Sequence, residues 1–190
     1  MVEAIVESEQ LTHMKNTKTL VLGGIRSGKS RLAERFAIQS HLPVIYIATA
    51  TIDDAEMQAR IALHRANRPS HWQVIEEPVY LANLLGQLAD AQHCLLVDCL
   101  THWLTNLLTH RNGMLFDQEH TAFLSILPTL PGRIILVGNE TSMGIIPIGE
   151  LTRRYCDEAG KLHQLVARQC DEVILTVAGL SHYLKGNPGD

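Results

Sequence analysis

The segment from residue 23 to residue 30 carries glycines, a lysine and a serine in an order that suits phosphate binding. It reads Gly23-Gly24-Ile25-Arg26-Ser27-Gly28-Lys29-Ser30, between an apolar run and a segment with helical spacing. Glycines let consecutive backbone N–H groups turn toward one anion, and the N-terminus of a helix adds positive potential. Lys29 could then reach the β- and γ-phosphates, and the Ser30 hydroxyl could coordinate Mg²⁺. The pattern predicts a phosphate-binding loop (P-loop) for ATP or GTP with Mg²⁺.

A nucleotide-bound metal also needs a carboxylate, and Asp98 is placed to supply one. Asp98 follows the apolar run Leu95-Leu96-Val97, and in P-loop proteins the metal carboxylate stands at the end of a neighbouring strand. An Asp at this point could instead cap the following helix. After another apolar run, Glu140 offers a second carboxylate at the same rim of the sheet, where it could hold metal, polarise a hydroxyl or serve only in a turn.

Apolar runs alternate with helical patterns along the whole chain. Strand-like runs cover 19–22, 44–48, 72–75, 94–98, 133–137 and 172–177, and the last of these closes the pattern. Helical patterns follow the P-loop and cover 53–64, 79–88, 100–110, 118–127 and 150–169. Continuous apolar strands indicate a sheet covered on both faces, and helices between them indicate parallel neighbours. We predict an α/β fold with a central, mainly parallel sheet.

The composition limits the class of protein. A chain of 190 residues that is 46% hydrophobic and 19% charged suits one packed domain, so we assign 18–190 to that domain and 1–17 to a loosely ordered N-terminal extension. The net charge of −4 argues against nucleic acid as a partner. The four cysteines lack metal or redox spacing, residues 1–17 lack the pattern of a signal peptide, and no apolar stretch is long enough for a membrane span. These features predict a cytoplasmic protein.

Several stretches together resemble one family, the bifunctional adenosylcobinamide kinase/adenosylcobinamide-phosphate guanylyltransferases of cobalamin biosynthesis. The matching runs are Leu22-Gly23-Gly24-Ile25-Arg26-Ser27-Gly28-Lys29-Ser30-Arg31, Tyr46-Ile47-Ala48-Thr49-Ala50, Arg60-Ile61-Ala62-Leu63-His64-Arg65-Ala66-Asn67-Arg68-Pro69, Val97-Asp98-Cys99-Leu100-Thr101 and Asn139-Glu140. Their order and spacing also match, over about residues 18–185. Ordinary P-loop kinases lack the block around His64, whereas Ile25 departs from the family, in which a smaller residue is usual.

The resemblance implies two reactions on one fold. A nucleoside triphosphate phosphorylates the aminopropanol hydroxyl of adenosylcobinamide, and GTP then donates GMP to that phosphate, which gives adenosylcobinamide-GDP and pyrophosphate. The family performs the second step through a guanylylated histidine, which falls here on His64. The resemblance also implies a three-layer, RecA-like P-loop NTPase fold and a homotrimer. Taken alone, His64 is one of ten histidines and lies in an arginine-rich segment typical of a solvated surface.

Carried over residue by residue, the resemblance assigns further contacts. Lys29 is expected to act with His64 in catalysis, and Ser30 and Asp98 to hold the metal. The expected nucleotide contacts are Gly23, Gly24, Ile25, Arg26, Ser27, Gly28, Lys29, Ser30, Ala48, Thr49, Ala50, Arg65, Ala66, Asn67, Arg68, Glu76 and Asp98. Glu77 could replace Glu76 with a shift of one residue.

Two other functions are compatible with the P-loop. The first is a simple small-molecule kinase in which His64 is inert and Lys29 acts with Asp98. The second is a nucleotide-dependent switch or regulatory module, because a P-loop fixes nucleotide binding and leaves the acceptor open.

Overall fold

The computed structural model describes residues 16–51 and 68–186. Its strands are β1 (Lys18–Gly23), β2 (Val44–Ala48), β3 (Gln73–Glu76), β4 (Cys94–Asp98), β5 (Arg133–Asn139), β6 (Glu172–Val177) and β7 (Leu180–Lys185). Its helices are α1 (Lys29–Gln39), α2 (Leu81–Leu88), α3 (Leu100–Thr109), α4 (Phe116–Ile126) and α5 (Glu150–Gln169), with short 3₁₀ turns at His110–Gly113 and Leu127–Thr129.

The strands of the described ranges form one sheet in the order β3-β2-β4-β5-β1-β6-β7. Every neighbouring pair is parallel except β6 and β7, which are antiparallel. The carboxyl ends of six strands therefore meet at one rim, which is where open α/β sheets bind ligands. β1, which leads into the glycine-rich segment, lies at an interior position between β5 and β6.

Helices cover the two faces of the sheet and bury two separate apolar clusters. On one face, α1 buries Leu32, Ala33 and Ala37 against alternate strand residues such as Val21 and Leu96. The other face is covered by α2 to α5. Along α5 the buried residues Ala159, Leu162, His163 and Val166 recur at the three- and four-residue spacing of one helix face. Alternate residues of each strand enter different clusters, which explains why the strands are apolar throughout.

The structure confirms the predicted three-layer α/β architecture and the mainly parallel sheet. The six predicted strands are present, and the helices after the P-loop and at 79–88, 100–110, 118–127 and 150–169 agree within about two residues. The expectation that 172–177 closes the pattern is wrong, because β7 follows it as an antiparallel edge strand. The predicted helix at 53–64 lies outside the described residues.

Residues 16 and 17 already contact the sheet. The Ile134 N–H donates to the Thr17 carbonyl at 3.0 Å, and the Gly132 N–H donates to Asn16 Oδ1 at 3.0 Å. The division into an extension and a domain stays a prediction. No helix in the described part of the chain is long and apolar enough to cross a membrane.

Candidate active site

The P-loop lies between β1 and α1, as the sequence predicts. Two residues of the loop have positive φ, Arg26 at 57° and Gly28 at 98°, which lets the backbone reverse direction before the helix begins. The Ser27 N–H donates to the Gly24 carbonyl at 3.2 Å. Lys29 Nζ also donates to the Gly24 carbonyl, at 3.2 Å. The lysine ammonium therefore lies over the loop where a bound phosphate chain would need it.

The turn between β6 and β7 supports the P-loop from behind. The Gly179 N–H donates to the Ser27 carbonyl at 2.9 Å, and a Cβ on Gly28 would lie 3.3 Å from the Gly179 Cα. A Cβ on Gly23 would lie 2.4 Å from Ser27 Oγ and 2.6 Å from the Thr176 carbonyl. Only a glycine fits at position 23, because the loop backbone packs directly on β6 there.

Asp98 lies at the carboxyl end of β4, at the same rim as the P-loop. Across the sheet, Asp98 is aligned with Val137 on β5, and Val137 is aligned with Val21 on β1. Two strand spacings, or about 10 Å, therefore separate Asp98 from the β1 backbone. The Tyr46 hydroxyl donates to Asp98 Oδ2 at 2.9 Å. Burial raises the pKa of Tyr46, and the Asp98 charge raises it further while Arg68 opposes both, so the phenol keeps its proton and acts as the donor.

Ser30 and Asp98 offer oxygen donors that fit Mg²⁺. Ser30 lies in the first turn of α1 and is partly exposed, as is the Asp98 carboxylate. A hydroxyl and a carboxylate are hard ligands, and Mg²⁺ is usually held by one or two such protein groups together with substrate phosphates. The predicted metal role of both residues stays a prediction that their chemistry supports.

The end of β5 lies between the P-loop and Asp98. The Glu140 N–H donates to the Gly23 carbonyl at 3.0 Å, and the Asn139 N–H donates to Thr101 Oγ1 at 2.7 Å. Asn139 Oδ1 is buried and has no hydrogen-bond partner within the described ranges. The Glu140 carboxylate accepts from the Ser142 N–H at 2.6 Å and from the Ser142 hydroxyl. This arrangement favours the turn role over the other roles considered for Glu140.

Thr49, one of the expected nucleotide contacts, is fully buried. Its hydroxyl donates to the Cys99 carbonyl at 2.6 Å and accepts from the Cys99 N–H at 2.8 Å. The Asn106 side-chain amide donates to the Thr49 carbonyl at 2.8 Å. Thr49 therefore joins the end of β2 to the start of α3, whereas Ala48 and Ala50 on either side are partly exposed.

Arg68 and Glu76 lie together at the β3 edge of the sheet. Both line a cavity of about 360 Å³ whose other walls are Pro69, Ser70, Trp72 and Val74. The Glu77 carboxylate accepts from the N–H groups of Val79 and Tyr80 at 2.9 and 2.8 Å. Glu77 is thus engaged in the turn before α2, and Glu76 is the carboxylate that faces the cavity.

The expected site residues fall into two groups on the rim. The P-loop and Asp98 form the first, and Arg68 and Glu76 form the second. β3 and β1 are separated by four strand spacings, which is about 19 Å across the sheet. His64, Arg65, Ala66 and Asn67 lie outside the described residues, so their positions relative to either group stay predictions.

Sequence reasoning did not assign roles to Tyr46, Thr101 or Asn139. A signal existed for Tyr46, since it is the only side chain with a hydroxyl in the otherwise aliphatic strand Val44–Ala48. Thr101 and Asn139 stand in stretches that carry the family resemblance, but their contact joins the end of β5 to the first turn of α3, and this adjacency depends on the strand order.

The sequence also matches known proteins over most of its length. The profile of the family described as cobinamide kinase / cobinamide phosphate guanyltransferase (CobU) matches residues 19–184. A Pseudomonas aeruginosa protein named bifunctional adenosylcobalamin biosynthesis protein CobP is 59% identical over 90% of this chain and 99% of its own length. The Escherichia coli K12 protein named bifunctional adenosylcobalamin biosynthesis protein CobU is 36% identical over 87% of this chain and 98% of its own length.

Solved structures show the same fold at low identity. A Pyrococcus horikoshii OT3 protein has a TM-score of 0.55 at 14% identity and covers 96% of this chain and 93% of its own. The flagellar accessory protein FlaH of Methanocaldococcus jannaschii has a TM-score of 0.50 at 13% identity, with coverages of 96% and 84%. At such identities the likeness concerns the fold alone.

Proposed function

The chain belongs to the cobinamide kinase / cobinamide phosphate guanyltransferase family of transferases, and we propose that it catalyses both reactions in sequence. It phosphorylates adenosylcobinamide with ATP or GTP and then transfers GMP from GTP to adenosylcobinamide-phosphate. The observation that carries the proposal is the P-loop facing Asp98 across β5 in a chain that matches the family over residues 19–184.

In the kinase step the P-loop holds the triphosphate and the corrinoid hydroxyl attacks it. A bond forms between the hydroxyl oxygen and the γ-phosphorus, and the bond from that phosphorus to the β–γ bridging oxygen breaks. A nucleoside diphosphate leaves, and the hydroxyl proton is released. Lys29 and the loop amides offset the charge on the phosphate oxygens. Ser30 and Asp98 would hold Mg²⁺, which when bound neutralises charge on the β- and γ-phosphates.

In the transferase step we assign the nucleophile to His64. A neutral imidazole nitrogen attacks the α-phosphorus of GTP, pyrophosphate leaves, and a guanylyl-histidine remains. A phosphate oxygen of adenosylcobinamide-phosphate then attacks the same phosphorus, the P–N bond breaks, and adenosylcobinamide-GDP is released. Arg65 and Arg68 would offset developing charge on the phosphates.

The edge cavity supports a role in holding guanosine. Glu76 is an exposed carboxylate in a cavity of about 360 Å³ with apolar walls from Trp72 and Val74. A carboxylate can accept two hydrogen bonds from the donor edge of guanine, and an apolar wall suits a purine ring. This assignment agrees with the expected nucleotide contacts at Arg68 and Glu76.

We also propose a cytoplasmic homotrimer. All four cysteines are free thiols, which suits a reducing compartment. In the trimer that we propose, the edge cavity of one subunit lies within reach of a neighbour's P-loop. Sedimentation analysis should give three times the mass of the 21.1 kDa chain. A monomeric mass at the concentrations used for catalysis would exclude a neighbouring subunit from the site.

Trapping the covalent intermediate tests the two-step mechanism. Incubation with GTP labelled at the α-phosphate and Mg²⁺ should leave label on the protein that is lost in acid and stable in base. His64→Ala should carry no label, whereas the control His182→Ala, which changes an exposed histidine on β7, should be labelled like the parent protein. Undiminished label on His64→Ala would exclude this nucleophile.

Two other outcomes would favour the alternative functions. Kinase turnover without any trapped GMP would favour the simple kinase, and the absence of any phosphorylated cobinamide would favour the nucleotide-dependent switch.

A further inference from the structure

A continuous chain of contacts links the two groups of site residues. The Arg68 guanidinium lies over the Tyr46 ring, with Cζ 3.3 Å from the ring centroid. The hydroxyl of the same tyrosine donates to Asp98 Oδ2 at 2.9 Å. Arg68 lines the edge cavity, and Asp98 faces the P-loop from β4. Tyr46 therefore touches both groups, one through its ring face and the other through its hydroxyl.

The strand order explains why Tyr46 can make both contacts. β2, which carries Tyr46, lies between β3 and β4, so its carboxyl end separates the edge cavity from Asp98. The ring is 3% exposed and packs in the cluster beneath α1, which holds it in one orientation. A buried ring with a fixed hydroxyl is a rigid support for a partly exposed carboxylate.

The contact of Arg68 with Tyr46 suits the planar shape of the guanidinium group. Arg68 is four residues beyond His64 in the sequence. Its guanidinium carbon lies over the ring face, where a planar guanidinium can stack and the compact ammonium of lysine cannot. Arg68 Nε is buried without a hydrogen-bond partner among the described residues, and the Tyr46 ring face lies against the guanidinium.

We propose that Tyr46 is a positioning residue for both half-reactions. Its hydroxyl holds the Asp98 carboxylate in the orientation required for the nucleotide-bound metal, and its ring seats the Arg68 guanidinium at the edge cavity. The second part rests on the function proposed above. If Tyr46 had only a structural role in the core, its hydroxyl would simply bond to the nearest acceptor. Substituting it would then change neither the metal dependence nor the position of Arg68.

Two substitutions separate the roles of the hydroxyl and the ring. Tyr46→Phe removes the donor to Asp98 and keeps the ring face, whereas Tyr46→Leu removes both. Tyr183→Phe is the matched control, because Tyr183 packs beside the same apolar cluster and lies on β7, four strand positions from β4 and six from β3. Thermal denaturation of each variant establishes that the comparison is made between folded proteins.

The first measurement uses electron paramagnetic resonance of Mn²⁺. It determines the Mn²⁺ concentration that half-saturates binding of a GTP analogue with a methylene group between the α- and β-phosphates. Tyr46→Phe should raise this concentration by about tenfold, the usual size of a lost hydrogen bond to a charged group. Tyr183→Phe should leave it unchanged. An unchanged metal requirement in folded Tyr46→Phe would overturn the role of the hydroxyl.

The second measurement follows Arg68 directly by NMR in protein labelled with [¹³C,¹⁵N]arginine. The Arg68 Nε–Hε signal, assigned by its loss in Arg68→Lys, should be shifted upfield by the ring. Tyr46→Phe should retain the shift and Tyr46→Leu should lose it. A signal at the position of an ordinary solvated arginine in the parent protein, or one that does not move in Tyr46→Leu, would overturn the role of the ring.

These readouts do not depend on trapped GMP. If the parent protein takes up no label from GTP while both measurements give the expected results, the guanylyl-histidine step fails and the positioning role of Tyr46 stands. If label forms normally and neither measurement responds to the substitutions, the guanylyl-histidine step stands and the positioning role of Tyr46 fails. Where both stand, Tyr46→Leu should also slow labelling at saturating metal by about tenfold more than Tyr46→Phe, because the loss of a desolvated cation–π contact is added.

Discussion

At the scale of single residues, Lys29 is the clearest determinant of nucleotide affinity. Its ammonium lies 3.2 Å from the Gly24 carbonyl, over the P-loop. Lys29→Ala should weaken GTP binding by roughly 10- to 100-fold, because a charge-assisted hydrogen bond contributes about 1.5–3 kcal/mol. Calorimetric titration measures the change. Lys161→Ala, which removes an exposed lysine paired with Glu158 on α5, should leave the affinity unaltered; an equal effect from both variants would mean that net charge, and not the loop, governs binding.

His163 gives the molecule a pH-dependent stability. It is buried on α5, and a Cβ on Gly138 would lie 3.0 Å from its Nε2. Burial lowers the pKa of His163, and the Glu140 charge only partly opposes that shift. The His163 imidazole therefore binds a proton at higher pH in the unfolded chain than in the folded one. As a result, the free energy of unfolding falls as the pH drops below about 6.5 toward the pKa of the folded state.

Substituting His163 tests this linkage. His163→Gln should lose less thermal stability between pH 7.5 and pH 5.5 than the parent protein. Some loss should persist, because burial also lowers the pKa of His120. His182→Gln, at an exposed strand position, should keep the parent's full pH dependence. A fall in melting temperature in His163→Gln as large as in the parent would show that the linked proton binds elsewhere.

At the scale of elements, the P-loop depends on its contact with β6. A Cβ on Gly23 would lie 2.6 Å from the backbone carbonyl of Thr176, whereas a Cβ on Gly24 would meet nothing within 4 Å. Gly23→Ala should therefore cost about 1–3 kcal/mol of unfolding free energy, the usual penalty for overpacking. Gly24→Ala should stay within about 0.5 kcal/mol of the parent, as surface changes do. Urea denaturation measures both, and equal stabilities would show that the loop can move away from β6.

The strands whose limits the sequence predicted to the residue are β2, β4 and β6, all of them interior strands of the sheet. β4 and β6 are continuous apolar runs, and their limits agree with the sequence pattern. β7 was missed because it is an edge strand whose side chains are mostly exposed, so neither a continuous apolar run nor a clear alternation marks it. The Ala178-Gly179 turn before it adopts positive φ at both residues, which suits a two-residue hairpin.

The candidate site was predictable to the extent that it is local in sequence. The P-loop and the strand end at Asp98 are local patterns, and both lie at the predicted rim. The contact of Tyr46 with Asp98 spans 52 residues, and it exists because β2 and β4 are neighbours in the sheet. Sequence patterns indicate which segments are strands, but they do not indicate the order of the strands across the sheet. The distance between the edge cavity and the P-loop depends on that order, so it could not be predicted.

At the scale of the whole molecule, the sheet spreads the site along its rim. The P-loop at β1 and the cavity beside β3 lie four strand spacings apart, about 19 Å. A triphosphate in the P-loop of one chain would have to cross β5, β4 and β2 to reach Arg68 and Glu76 of the same chain. A neighbouring subunit could instead present its edge cavity and its His64 segment to that nucleotide. The separation of the two groups on the rim thus gives the proposed trimer a mechanistic reason.

Mixed oligomers distinguish transfer within one subunit from transfer between subunits. Lys29→Ala removes the phosphate grip and keeps His64, whereas His64→Ala removes the nucleophile and keeps the P-loop, so each variant alone should take up little label from GTP labelled at the α-phosphate. If His64 acts on a neighbour's nucleotide, co-refolding the two variants should restore labelling, and mass analysis with a tag on one chain should find the GMP only on the Lys29→Ala chain. Refolding each variant with itself is the control. Mixed oligomers that form and stay unlabelled would place His64 and the P-loop that serves it in the same chain.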